Sequence, residues 1–325
     1  MNLHLLARKY VMPMLAISAS FSTSSLAATQ ADQNTALAAL RDYNVVTFGN
    51  LTTNNHIDGR IFVGGDLTAT GAVLDMKNPA NPNGTPALTV GGNASFVNSP
   101  SVNGPNVRVG GSINGTFNSN GGGTVVTGGA TAIAQQRDTL RSALTAYSSH
   151  LSGLDDTQQN AATYDGQVLR ISAPLTFNVI NISGNLLSSV NDRLQFTSLG
   201  GTTIINVSGT SISFTRNFQN NMSSYGSNIL WNFFEAETIT LGDFGGSILA
   251  VNADLTKNGN GGINGSVIVD NILGQSAEIR NNSFAGSNIA PIPEMATWMM
   301  LIAGLGAVGT TMRSRRRVAL RVAKA

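Results

Sequence analysis

Val63-Gly64-Gly65-Asp66-Leu67 recurs along the chain as Val90-Gly91-Gly92-Asn93-Ala94, Val109-Gly110-Gly111-Ser112-Ile113 and Val126-Thr127-Gly128-Gly129-Ala130. The first glycines lie 27, 19 and 18 residues apart. A unit near 20 residues with one or two short strands is what stacked coils need, because no single coil can bury its own inward side chains. The pattern therefore predicts an all-β fold, a right-handed β-helix or β-solenoid. The glycine pairs suit corners that need positive φ or a tight bend. Alternating Ile61 and Val63, or Val107 and Val109, would line the interior. A β-sandwich with glycine-rich hairpins is the competing arrangement. The same glycines are not a phosphate cradle, since no P-loop lysine follows them and no dinucleotide fingerprint opens a helix.

Working outward, Ile133, Leu140, Leu144, Tyr147, Leu151 and Leu154 fall on one face of a helix. This spacing predicts one long helix over about residues 131–154, lying along the side of the solenoid and ending near Gly153 and Asp155-Asp156. A shorter helix from about Asp32 to Arg41 would cap the N-terminal coil, whose edge is otherwise unpaired. Strands resume at Gly166–Ile171, Leu175–Ile182, Thr202–Ser208, Ser211–Thr215, Ser227–Phe233, Thr238–Leu241, Gly246–Val251 and Gly265–Val269.

The ends read as addresses rather than as fold. Arg8 and Lys9 precede an apolar run from Tyr10 to Phe21, and Ser25-Leu26-Ala27 offers the small residues a signal peptidase reads. Residues 1–27 thus read as a signal peptide cleaved after Ala27. At the other end, residues 291–325 carry Pro293-Glu294, an apolar segment over residues 296–312, and Arg313, Arg315, Arg316 and Arg317. Those 17 residues would span roughly 25 Å as a helix, the lower limit for crossing a bilayer. Arginines beyond such a segment stay cytoplasmic. Residues 28–290 are then the exported domain. Of the chain's 19 Lys and Arg, two fall in the leader and six in the tail, leaving 11 against 16 Asp and Glu. The exported part is therefore acidic, without the basic face that nucleic acid demands. With no cysteine in 325 residues, its stability must come from burial and hydrogen bonding.

The order Pro-Glu element, apolar span and arginine cluster resembles the PEP-CTERM sorting signal, which exosortase-type enzymes process in Gram-negative bacteria. Met295 stands where that signal has its second proline, and Val318 to Ala325 extend past the arginines. The body of the chain resembles the choice-of-anchor A family. The likeness rests on Tyr43-Asn44-Val45-Val46, Phe48-Gly49-Asn50-Leu51 and Asp58-Gly59-Arg60-Ile61-Phe62-Val63-Gly64-Gly65-Asp66. It closes on Leu230-Trp231-Asn232-Phe233-Phe234-Glu235-Ala236, Gly246 to Asp254, and Gly262 to Ile268. The departures are Val251, where the family commonly has proline, and Arg280, near a position often held by histidine. The resemblance implies an exported β-helical adhesive domain, held transiently at the inner membrane and then released to the cell surface or matrix. The exosortase-type enzyme and a polysaccharide or other surface ligand would be its partners. It implies no catalytic residues and no cofactor.

A search for chemistry agrees. His56 and His150 are isolated, and no metal-ligand spacing or Gly-x-Ser-x-Gly elbow occurs. Asp155 with Asp156, Glu235 with Glu237, and Asp243 with Asp254 are the carboxylates a β-helical polysaccharide lyase or glycosidase would use. Asp243, Asn252, Asp254 and Asn264 offer oxygen ligands for calcium, without a calcium-loop motif. An ice-binding protein is the remaining alternative, since one bacterial ice-binding family pairs a β-solenoid with a flanking helix. It would need a regular Thr-x-Thr array, and only Thr238-Ile239-Thr240 fits that pattern cleanly.

Overall fold

The computed structural model describes residues 28–80, 83–219 and 226–287. Ala27 and the tail residues Pro293, Glu294, Arg313, Arg315, Arg316 and Arg317 lie outside them, as do the expected signal peptide and apolar span. Among the described residues, no helix is long and apolar enough to cross a membrane.

Helix α1 (Gln30–Asp42) opens the domain, with Thr29 and Asp32 forming a capping box. Coils follow, each with up to three short strands. They are β1 (Val45–Thr47) and β2 (Leu51–Thr53), then β3 (Ile61–Val63), β4 (Leu67–Thr70) and β5 (Val73–Leu74). Next come β6 (Leu88–Val90), β7 (Ala94–Val97), β8 (Ser101–Val102), β9 (Val107–Val109), β10 (Ile113–Gly115), β11 (Asn118–Ser119) and β12 (Val125–Thr127). Helix α2 (Ala130–Ser152) then runs along the stack. The return half begins with β13 (Ala162–Tyr164), β14 (Val168–Ala173), β15 (Phe177–Ser183), helix α3 (Gly184–Ser188), β16 (Arg193–Leu199), β17 (Thr202–Ser208), β18 (Ser211–Phe214) and β19 (Asn217–Gln219). It closes with β20 (Ile229–Asn232), β21 (Thr238–Leu241), β22 (Phe244–Gly245), β23 (Ser247–Lys257), β24 (Ile263–Asn264), β25 (Val267–Gln275) and β26 (Ile279–Arg280).

The fold is a β-solenoid whose rungs are stacked out of sequence order. The first face runs β12-β9-β6-β3-β1-β25-β23-β20-β17-β15, all in parallel. The first coil of the chain therefore sits in the middle of the stack, clasped between β3 and the late strand β25, with Val45 in register with both Ile61 and Val267. The chain winds outward from the middle, α2 carries it back along most of the stack, and the second half winds inward until it meets β1. At about 1.5 Å per residue, the 23 residues of α2 span roughly 35 Å, about seven spacings of roughly 4.8 Å. Its contacts follow rung order, not sequence order. Arg141 reaches Asp270, Ser148 reaches Asn232, and the Leu151 carbonyl reaches Asn206.

This topology corrects one expectation. Helix α1 does not cap a terminal coil, because β1 has no free edge. It lies beside α2 on the first face, where Leu37 and Leu40 pack with Val46, Phe62, Leu144, Tyr147, Leu230, Leu249 and Ile268. The inner side of the same strands packs into the solenoid core through Val45, Ile61, Val63, Ile205, Trp231, Ile248 and Val267. Burial on both sides explains why these strands read as continuous apolar runs rather than alternating ones.

The glycine pairs also work differently from the expectation. Gly64, Gly65, Gly91, Gly92, Gly110 and Gly111 do not have positive φ; only Gly128 and Gly129 of the last repeat do. The pairs exist for closeness. A Cβ on Gly91 would stand 2.3 Å from the Gly64 carbonyl oxygen, and one on Gly110 2.2 Å from that of Gly91. Backbone stacks on backbone at this corner, and no side chain fits between.

One buried carboxyl has a measurable consequence. Both Asp75 oxygens are buried without a hydrogen-bond partner. Burial pushes its pKa up to about 6, with the Arg60 guanidinium opposing the shift. The folded protein therefore keeps a proton that the unfolded chain releases near its ordinary value of 3.8. Stability is expected to be greatest at low pH and to fall as pH rises through about 6, and Asp75→Asn should flatten this dependence. Thermal melts between about pH 4 and about pH 8 measure it; identical slopes for both proteins would refute the assignment.

Candidate functional site

Helices α1 and α2 cover the first face, whereas the second carries no helix across it and meets only the short α3 beside its end strand β18. The second face runs β10-β7-β4-β2-β25-β23-β21-β18. Its strands alternate cleanly, as Leu51 in, Thr52 out, Thr53 in, and Leu67 in, Thr68 out, Ala69 in. Such alternation marks a parallel sheet with one side left to solvent.

Two outward columns run along this face. The first is a polar ladder beside the glycine corner. The Asn271 amide donates to Asp254 Oδ1 at 2.7 Å, and Asn271 Oδ1 accepts the Asn50 N–H at 2.6 Å. Asn50 Oδ1 accepts from Asp66 N–H, Asp66 Oδ1 from Asn93 N–H, and Asn93 Oδ1 from Ser112 N–H, at 2.7–2.9 Å. The Asn50, Asp66 and Asn93 side chains thus each close the next rung's backbone, which explains the Asp and Asn after the first two glycine pairs. Two residues on, hydroxyls form the second column. Ser213, Thr240 and Thr256 are in register on one half, and Thr52, Thr68 and Ser95 on the other. Neighbours stand about 4.8 Å apart.

The halves meet imperfectly. Leu51 and Ile272 are the one register pair between β2 and β25 on this face. A bulge in the β23–β25 ladder pairs Thr256 with Gly274 and leaves Leu273 58% exposed, the most exposed large apolar residue described. Beyond the bulge the seam opens into a groove of about 430 Å³, lined by Thr52, Thr53, Asn54, Thr70, Thr256, Lys257, Asn258, Gly274, Gln275 and Ser276. Lys257 and Gln275 are in register, and both point inward and are buried. The Lys257 ammonium donates to the Asn258 carbonyl at 2.6 Å, and burial lowers its pKa. The Gln275 amide donates to the His56 carbonyl, while its Oε1 is buried with no partner.

The carboxylates proposed from sequence do not assemble. Glu235 and Glu237 sit in the exposed turn before β21 rather than on a strand, and Glu235 Oε2 accepts the Gly209 N–H at 2.8 Å. Asp155 and Asp156 are exposed beyond α2, and Asp156 Oδ1 accepts the Asn181 N–H at 2.6 Å at the outer edge of β15. Asp254 is in register with Thr238, five residues before Asp243 on the neighbouring rung. Asp243 lies in the bend after β21, while Asp254 lies within β23 and accepts from Asn271, so the two belong to different elements. The oxygen donors considered for calcium are equally dispersed. Asn252 takes a hydrogen bond from Arg141 under α2, Asp254 from Asn271 on the second face, and Asn264 lies on β24 in the separate sheet β22-β24-β26. Among the described residues no cluster of three or more acidic or histidine side chains forms a metal site. His150 is half-buried, its Nε2 without a partner and its pKa lowered by burial; His56 contributes its backbone carbonyl to Gln275 and Ile279.

Sequence reading missed the hydroxyl column. Its signal was present as polar–apolar–hydroxyl triplets: Ser211-Ile212-Ser213, Asp254-Leu255-Thr256, Asp66-Leu67-Thr68 and Asn93-Ala94-Ser95. A reading limited to clean Thr-x-Thr took up one rung of six and passed over Thr68-Ala69-Thr70 on another.

Comparison with known proteins sets this geometry in context. Among solved structures the chain is similar to an ice binding protein from an Antarctic biological consortium, at 14% identity and TM-score 0.37, covering 83% of this chain and 93% of that one. It is similar to a glycosylated ice-binding protein from an Arctic yeast, at 13% identity and TM-score 0.36, covering 79% and 96%. It is also similar to an ice-binding protein from Shewanella frigidimarina, at 11% identity and TM-score 0.29, covering 74% and 96%. No curated protein sequence matches it. The family described as "Putative Ice-binding-like adhesive domain" matches residues 36–281, from within α1 to just beyond β26, and the chain belongs to that family.

Proposed function

We propose that the chain is an exported, adhesin-like binding module that attaches through its second face. The observation that carries this reading is the uncovered column of aligned hydroxyls, Ser213, Thr240 and Thr256 on one half and Thr52, Thr68 and Ser95 on the other. Hydroxyls donate and accept without charge, so each contact contributes about 0.5–1.5 kcal/mol. One molecule then binds modestly, and many copies on a surface hold firmly through effective concentration. The partner that suits such a face is a polysaccharide or a hydroxylated surface, and the role is attachment, aggregation or biofilm cohesion. In cells, deletion of the gene is expected to weaken attachment, and Thr52→Lys with Thr68→Lys to reproduce the deletion. Glu235→Ala and Asp254→Ala alone should change attachment little. Cleavage of a polysaccharide by the purified protein, abolished by either carboxylate variant, would replace this reading with a lyase or glycosidase.

The address signals complete the proposal. The leader ending at Ala27 exports the domain, and the choice-of-anchor A resemblance with the PEP-CTERM-like tail assigns release to an exosortase-type enzyme after transient anchoring in the inner membrane. The secreted protein is then expected to lack Trp298 to Ala325. Mass spectrometry of protein from its native cell decides this, and an intact C-terminus held in the inner membrane would make the tail a plain anchor.

Ice binding is the second reading, favoured by the same hydroxyl column at a repeat of about 4.8 Å. Against it, Leu273 interrupts the column at mid-length, and Asp66 and Asp254 place charge beside it. Thermal hysteresis measured on the purified protein distinguishes the two. The adhesin reading expects none, and hysteresis lost in Thr52→Lys would establish the ice-binding one.

A further inference from the structure

We propose that the groove at the seam of the second face is a binding site for a neutral saccharide, with Lys257 and Gln275 holding neighbouring hydroxyls. The proposal rests on the adhesin reading and deepens it by naming a ligand class and a place.

The argument begins inside the solenoid. One inward column of the second face runs Phe214, Leu241, Lys257, Gln275, and continues across the seam as Thr53, Ala69, Phe96. It is apolar at both ends and polar on three rungs only, those beneath the groove. Packing gives no reason for this, since Leu241 and Ala69 on the flanking rungs fill the same position with hydrocarbon. Burying the Lys257 ammonium and stranding the Gln275 Oε1 both cost stability. The Lys257 ammonium, the Thr53 hydroxyl and the Gln275 amide each tie down a corner carbonyl, but the Gln275 Oε1 stays buried and unpartnered, and such a group calls for a donor from outside the chain.

The chemistry of the groove then selects the ligand. Its lining contains no carboxylate, which disfavours a cation. The single ammonium is already engaged by the Asn258 and Gly259 carbonyls and lies near Asp243, which leaves little field for an anion. What the site lacks is a donor for Gln275 Oε1 and a further acceptor for Lys257. A pair of adjacent hydroxyls supplies one of each. The Thr52, Thr70 and Thr256 hydroxyls on the rim add groups of the same dual character. The volume of about 430 Å³ falls within the usual range for small-ligand sites. The groove is also open along the face, so a longer glycan can enter it with one residue and continue over the hydroxyl columns on either side.

The test uses the purified full chain and a panel of neutral hexose tetrasaccharides, by isothermal titration with parallel thermal melts. Gln275→Leu and Lys257→Met restore an apolar column. Each is expected to leave Tm unchanged or raised while weakening saccharide binding about tenfold or more. Thr70→Trp fills the groove from its rim and should abolish binding without touching the core. The opposite pattern, lowered Tm with binding intact in both core variants, would make the polar column structural and overturn the proposal. Saccharide binding that survives Thr70→Trp would also overturn it. If no tetrasaccharide binds while cell attachment still depends on Thr52 and Thr68, the groove proposal fails and the adhesin reading stands. If attachment itself is independent of those threonines, the adhesin reading fails whatever the titration gives.

Discussion

Gly91→Val is expected to destabilise the domain by about 3 kcal/mol or more, a large share of the roughly 5–15 kcal/mol that holds a typical domain folded. Gly91 does not have positive φ, so valine meets no backbone strain there. What it meets is the rung below. Its Cβ would lie 2.3 Å from the Gly64 carbonyl oxygen, with the Ile133 methyl of α2 at 3.5 Å on another side. Neither rung can retreat, since Gly64 N–H is bonded to the Thr47 carbonyl and Gly91 N–H to that of Val63. The rungs must separate, and the Asn93-to-Asp66 ladder bond separates with them. Gly122→Ala provides the contrast. Gly122 has φ +70 and open space around its Cβ position, so alanine costs only the left-handed penalty of about 1–2 kcal/mol. Urea denaturation of both variants measures the difference, and equal losses would mean that backbone stacking does not govern this corner.

The second large effect is expected at Asn206. Asn181, Asn206 and Asn232 stack in register under the C-terminal half of α2. The Asn206 amide donates to Asn181 Oδ1 and to the Leu151 carbonyl, both at 2.8 Å, while its Oδ1 accepts from Asn232 at 2.9 Å. Asn232 in turn donates to the Ser148 carbonyl and accepts the Ser148 hydroxyl at 2.6 Å. Asn206 is 2% exposed and Asn232 fully buried, so water cannot replace these bonds. Asn206→Ala strands several buried groups at about 1–3 kcal/mol each, and a loss of about 3 kcal/mol is expected. Ser148→Ala removes one hydroxyl and should cost about 1 kcal/mol. The double variant should fall short of the sum, because both act on one network. Strict additivity would show that the ladder does not couple the helix to the sheet.

These two sites show what the sequence made legible. The glycine pairs announced stacked coils, and the spacing from Ile133 to Leu151 placed α2 within a few residues of Ala130–Ser152. Strands wholly inside the stack were found as apolar runs. The order of stacking was not legible, because it depends on pairs such as Val45 with Val267, more than 200 residues apart and without local signal. For the same reason the glycines were assigned to corner conformation, when their role is set by carbonyls of a neighbouring rung. The two-residue strands β5, β8, β11, β22, β24 and β26 are too short to show any periodicity. The candidate site suffered most. Its hydroxyl column joins triplets from both halves of the chain, and its groove arises from the bulge at Leu273 and the single pairing of Leu51 with Ile272. Lys257 and Gln275 carry no local signal of burial; register alone turns them inward.

Attachment through the second face is the central claim, and one measurement addresses it directly. The purified protein is immobilised on beads at high density, and bead retention under flow on a polysaccharide-coated surface is compared for three forms. These are wild type, Thr52→Lys with Thr68→Lys on the second face, and Asp138→Lys with Thr145→Lys on the outer side of α2. The account predicts strong retention for wild type and the helix variant, and loss of most retention for the second-face variant at unchanged Tm. Equal retention by the second-face variant, or selective loss in the helix variant, would contradict it.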